Sequence, residues 1–115
     1  LKLKQVLISM SAKDFSFIAE DNLSYIFGIL AAYRVKMNLM QNAAISFSIC
    51  ADQNESMQEM ITELSKSFTV KINENLTLLT IRHYTESVIE KYVSGKNILL
   101  EQKSRHTVQL VYHEA

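Results

Sequence analysis

The stretch VKMNLMQNAAISFSIC, residues 35–50, decides how the chain is read. Val35, Met37, Leu39 and Gln41 share one face of a strand, and Lys36, Asn38, Met40 and Asn42 share the other. Ile45, Phe47 and Ile49 then alternate with Ser46, Ser48 and Cys50 as a second strand. Strands this close in sequence pair as an antiparallel hairpin, with Asn42 and Ala43 as an acceptable turn pair. The hairpin leaves the carboxamides of Asn38 and Gln41 unexplained, because turn chemistry accounts only for Asn42. Asn38 stands mid-strand, so it is either an edge polar group facing water or a contact for a small polar ligand. An amide carries both donors and an acceptor, and can meet an α-amino group and an α-carboxylate without bringing charge.

Upstream of the hairpin, Leu23, Ile26, Phe27 and Leu30 fall at i, i+3, i+4 and i+7, the stripe of an amphipathic helix. Its cap is expected near Asp21 or Asn22. Gly28 inside that pattern costs about 1 kcal/mol relative to Ala, which predicts close packing at that point. Before the helix, residues 11–22 have no clean period and read as a long loop, and KQVLISM at residues 4–10 reads as a strand with Val6, Ile8 and Met10 on one face. Downstream, Ser56 and Glu59 have capping-box spacing, and Met57, Met60, Ile61 and Leu64 repeat the helical stripe. FTVKI at residues 68–72 alternates as a strand.

The order is therefore strand, helix, strand, strand, helix, strand. Helices with one apolar stripe need a sheet on that side. Two of them on one face of a four-stranded antiparallel sheet give the ferredoxin-like βαββαβ arrangement, an α+β fold. The chain then restarts the unit. NLTLLTIRHY reads as a strand, TESVIEKYVSG as a short helix with Val88, Tyr92 and Ile89 inward, and NILLEQKS and HTVQLVYH as two strands turning at Ser104 and Arg105. This is an internal repeat of about 70 residues whose second copy, βαββ, is incomplete. The expected domains are residues 5–74 and 75–115, the second partial and completed by the N-terminal segment or lacking its last elements.

Composition narrows the function classes. The chain has 115 residues, 48% hydrophobic and 21% charged, which is globular composition. Lys and Arg number 12 and Asp and Glu number 12, so no net charge drives counterion release from nucleic acid. No apolar run approaches the length of a membrane span, and no leader opens the chain. Leu1 in place of an initiator Met points to a fragment of a longer protein. The single Cys50 rules out an internal disulfide and a cysteine zinc site, and suits a reducing cytoplasm. With Gly28 and Gly95 as the only glycines, no phosphate-cradling loop can be written. His83, His106 and His113 have no partner at ligand spacing, so a metal site is not expected. His83 with Arg82 and Tyr84 reads as a solvent-facing strand end, with an anion contact as its sharper alternative. An acylphosphatase-like enzyme would need a glycine-rich loop with an Arg, and an RNA-recognition module would need several aromatics on its central strands, where Phe47 stands alone.

LSYIFGILAAYRVKMNLMQNAAISFSIC resembles the first ACT domain in the regulatory part of aspartokinases, where a helix runs into a strand of the VDLI type and a short serine-rich strand. NENLTLLTIRHY resembles that family's junction into a second ACT domain, and NILLEQKSRHTVQLVY its following hairpin. The resemblance covers residues 6–113. It implies that one ACT domain is inserted within the other, with LKLK at residues 1–4 as part of the connection. It also implies a cytoplasmic homodimer formed through ACT domains and attached to a kinase domain of the same chain. That kinase domain, absent here, would phosphorylate the side-chain carboxylate of aspartate with ATP and magnesium. The fragment itself would have no catalytic activity and no cofactor. A feedback amino acid, lysine or threonine, would bind beside Met10, Ser11, Asn22, Leu23, Met37, Asn38, Gln41 and Asn42. Backbone amides at the helix start would take its carboxylate. The chain has Asn38 where the family usually has Asp, so Asp14, Glu20 or Asp21 is expected to supply the charge for the ammonium group. If none does, the module is an effector-insensitive dimerisation scaffold.

Overall fold

A computed structural model describes residues 1–14 and 18–114. The elements in chain order are β1 (Lys2–Ala12), α1 (Glu20–Ala32), β2 (Met37–Asn42), β3 (Ser46–Asp52), α2 (Met57–Ser65), β4 (Phe68–Arg82), α3 (Glu86–Val93), β5 (Lys96–Lys103) and β6 (Thr107–Glu114). The fold is α+β, as expected, and the chain divides into two compact units, Val6–Asn73 and Leu1–Gln5 with Glu74–Ala115. The strands read separately at residues 68–72 and from Asn75 onward are one strand, β4, which continues through Asn75 although that residue is left-handed (φ 57°). Lys4 in β1 is also left-handed (φ 53°).

In the unit Val6–Asn73 the strands lie in the order β2-β3-β1-β4, with β2 at the edge. Alternation along β1 and β3 puts Val6, Ile8, Met10, Phe47, Ile49 and Ala51 into one core with Ile26, Ile29 and Leu30 of α1 and Met57, Met60, Ile61 and Leu64 of α2. Each of these side chains larger than Ala51 contributes about 1.5–3 kcal/mol of transfer free energy. The α2 stripe is buried along its whole length. In α1, Ile29 takes the place expected of Phe27, which is 37% exposed and stands edge-on to Phe47 with ring centroids 5.7 Å apart. The opposite faces of β1, β2 and β3 also bury Leu7, Leu39 and Cys50.

The start of α1 differs from expectation, and that of α2 agrees in position but not in its capping bond. Ala19, not Asp21 or Asn22, is the N-cap of α1, and it has no side-chain acceptor to offer the first-turn amides. Ser56 does cap α2 by position, but its side chain makes no capping bond; the Ser56 N–H instead donates to Asn54 Oδ1 at 2.9 Å. The end of α1 is a Schellman turn. The Val35 N–H donates to Leu30 O and the Arg34 N–H to Ala31 O, with Arg34 left-handed at φ 55°.

In the other unit β4, β6 and β5 lie side by side, antiparallel, in that order. Ile89 of α3 packs with Val108, Leu110 and Tyr112, and Val93 joins them one turn later. Tyr92, expected inward, is 42% exposed, because Ile89 and Val93 define the inner face. Gly95 (φ 76°) follows the C-cap Ser94 and lets the chain turn into β5.

Candidate functional site

The β2–β3 pairing decides where the carboxamides go. Met37 pairs with Ala51, but Leu39 pairs with Cys50, so Asn38 is an extra residue, a β-bulge. The bulge breaks the expected alternation. Met37 packs against the helix-side core with Ala51, whereas Leu39 and Gln41 lie opposite Cys50 and Ser48 on the other face. It also aims the half-buried Asn38 amide at the end of β3, where Asn38 Nδ2 donates to Asp52 Oδ1 at 2.7 Å. Sequence spacing missed Asp52, since nothing in residues 35–52 reveals the extra residue. The Asp52 charge also acts on its neighbour. Burial first, and that carboxylate second, push the Cys50 thiol from its ordinary 9.0 up to about 11.

The other end of β2 meets the start of α1. Ile18, Ala19, Glu20, Asp21, Leu23 and Asn42 line a shallow cleft of about 390 Å³, within the ~300–1,000 Å³ range of small-molecule sites. The Ile18 N–H donates to Ala44 O at 3.0 Å, tying the helix entrance to the β2–β3 turn. That turn is closed by the Ala43 N–H donating to Ser46 O, so Asn42 is the last residue of β2 and not a turn residue. Asn22 turns back on the helix start, its Oδ1 accepting the Ala19 N–H at 3.0 Å. Two carboxylates in the first turn, Glu20 and Asp21, give the cleft a negative lip beside the positive end of the helix dipole.

The expected contacts therefore fall in separate places. Leu23 and Asn42 line the cleft and Asn22 belongs to the same helical turn. Met10 is fully buried in the core and Ser11 is half-buried near the end of β1. Met37 and Asn38 lie at the far end of β2, about 13 Å from Asn42 along an extended strand, and Gln41 is exposed between them. Of the acidic groups expected to replace the family's Asp, Glu20 and Asp21 border the cleft. The 11–22 loop passes through residues 15–17, which lie outside the described residues.

No protein-family model matches the chain, and no curated protein matches it. Solved structures do. A domain from Porphyromonas gingivalis W83, described as a C-terminal regulatory domain of aspartate kinase, superposes with a TM-score of 0.80 over 96% of this chain and 81% of its own, at 14% identity. The fold is that of aspartokinase regulatory regions. Escherichia coli aspartokinase III in complex with lysine and aspartate gives a TM-score of 0.73 at 18% identity, over 96% of this chain. This chain spans 28% of the length of that enzyme. The regulatory subunit of aspartate kinase from Thermus flavus gives 0.68 at 10% identity, over 96% of this chain and 84% of its own. The expected ferredoxin-like ACT architecture is thus the one observed.

Proposed function

We propose that this chain is an amino-acid-sensing regulatory domain of an aspartate kinase, responsive to lysine or threonine as an end product. The observation that carries the reading is the cleft at the start of α1, where charge of both signs is available within one helical turn. First-turn amides, uncapped by the Ala19 side chain, suit an α-carboxylate, while Glu20 and Asp21 suit an α-ammonium group. The Asn42 amide serves either group. Asn38, Met37 and Gln41 belong to the proposed surface only if the effector, or a second copy of the chain, reaches along β2. A likeness in fold to an aspartokinase described in complex with lysine is a second support. On this reading the catalytic step, ATP-dependent phosphorylation of aspartate, resides in a kinase domain of the same protein, and the effector works by preferring one dimer arrangement over another.

Thermal shift against the twenty amino acids tests it, since a ligand at about 100-fold its dissociation constant adds ~2.7 kcal/mol. Lysine or threonine should raise the midpoint, and Asp21→Asn should weaken that ligand while Asn38→Ala leaves it within twofold. Equal weakening by Asn38→Ala would move the contact to the Asp52 end of β2. A second reading, an effector-insensitive dimerisation scaffold, is favoured by one observation: the Asn38 amide donates to Asp52. If no amino acid shifts the midpoint, the scaffold reading replaces the sensor.

A further inference from the structure

The histidines have no common spacing in sequence, yet strand register brings two of them together. Along β4 and β6 the paired residues run from Thr77 opposite Tyr112 to Arg82 opposite Thr107. One step further His83 faces His106, and the His83 N–H donates to His106 O. Residues directly opposite across an antiparallel pair hold their Cβ atoms about 4.5–5.5 Å apart. The two imidazole rings accordingly stand with centroids 5.8 Å apart and planes inclined by 46°. Both residues are exposed.

We infer that His83 and His106 form a two-imidazole site for a late first-row transition metal ion, zinc(II), copper(II) or nickel(II). Two metal–nitrogen bonds of about 2.0–2.1 Å bridge rings at this order of separation after small side-chain rotations. The loop that carries His106 is held from both sides. The Ser104 N–H donates to Thr107 O at 2.8 Å, and Tyr84 Oη donates to Ser104 O at 3.1 Å. The backbone that carries His106 is therefore positioned before metal arrives, which lowers part of the ordering cost of chelation. Arg82 and Arg105 are sequence neighbours of the pair and contribute positive charge, so bare electrostatics does not draw a cation here. Imidazole lone pairs must supply the attraction. That selects zinc, copper or nickel, which bind nitrogen well, over magnesium and calcium, which take oxygen ligands. Among the described residues no group of three or more His, Cys, Asp or Glu side chains is placed to hold a metal. Water would therefore fill the remaining positions, and the site is open and exchangeable, unlike a structural zinc centre.

Calorimetric titration of the 115-residue chain with zinc, copper or nickel chloride tests the inference. Saturable binding of one ion per chain is expected for at least one of the three, with none for magnesium or calcium. His106→Ala and His83→Asn should each weaken it by about tenfold or more, the loss seen even when a group that only supports a ligand is removed. Asn is chosen at residue 83 because it tolerates the left-handed backbone there (φ 54°). His113→Ala should leave the affinity unchanged. Absence of saturable binding, or equal affinity in the His83→Asn and His106→Ala variants with native circular dichroism, overturns the site.

Discussion

Asn38 owes its orientation to one extra residue in β2. Without the bulge its side chain would follow strict alternation; with it, the amide meets Asp52 Oδ1 at 2.7 Å. A hydrogen bond to an ionised carboxylate contributes about 1.5–3 kcal/mol. Asn38→Asp replaces the donor by a second carboxylate, and should destabilise the unit by about 1–3 kcal/mol at neutral pH. The deficit should be smaller at pH 4.5 than at pH 7, because protonation relieves repulsion between neighbouring carboxylates. Urea unfolding at both pH values checks this, and an equal deficit at each would exclude charge repulsion as its source. Cys50, on the neighbouring strand, makes the opposite pH statement. Its thiol is buried and its pKa is raised to about 11 from 9.0, so the neutral form belongs to the folded state. Above pH 9 the unfolded chain loses this proton first, and on the order of 2 kcal/mol of stability is lost as pH rises toward 11. Folded protein at pH 8 should resist thiol alkylation and react fully once urea unfolds it. Rapid alkylation of native protein would contradict the burial.

The helices differ in how much of them could be read beforehand. The α2 stripe is buried at every expected position because its period and its packing agree. The start of α1 is hard to read because Ala19 lacks the side chain that marks an N-cap, whereas Asp21 and Asn22 carry it two and three residues further in. In α3 the short helix offers too few turns to choose between faces, and packing selects Ile89 with Val93 over Val88 with Tyr92. Ile89→Ala should cost about 2–5 kcal/mol, whereas Tyr92→Ala, at an exposed position, should fall within about 0.5 kcal/mol. Denaturant midpoints distinguish the two faces directly. Gly28 corrects the expectation of tight packing, since among the described residues a Cβ built there meets no atom within 4 Å beyond the adjoining backbone of its own helix. Gly28→Ala should therefore stabilise α1 by about 0.8–1.0 kcal/mol, the helix propensity difference alone. A destabilising outcome would mean that an unseen neighbour occupies the space above the glycine.

At the scale of the whole molecule, the βαββαβ order was legible because each strand and helix carries its own period, and the restart at Asn75 was legible as a repeat, although it begins in the second half of β4 and not in a strand of its own. The site was not, for two physical reasons: a bulge leaves no mark in composition, and strand register sets which distant residues face each other. His83 and His106 were invisible as a pair until β4 and β6 were aligned. The same topology bears on the RNA-recognition alternative, which shares the element order. Such modules stack bases on aromatics exposed on the central strands. Here Phe47 on β3 points into the helix-packed core and is 2% exposed, so it offers no face to a base. The formal charge is zero at pH 7, with 12 basic and 12 acidic residues, so little counterion release is available. Fluorescence anisotropy with labelled single-stranded RNA should show no saturable binding at 150 mM salt. Lowering the salt to 50 mM should leave the curve flat, because a protein neutralising even six phosphates would gain about a thousandfold over a comparable change. A steep gain at low salt would restore the nucleic-acid reading and require a basic surface that the neutral total conceals.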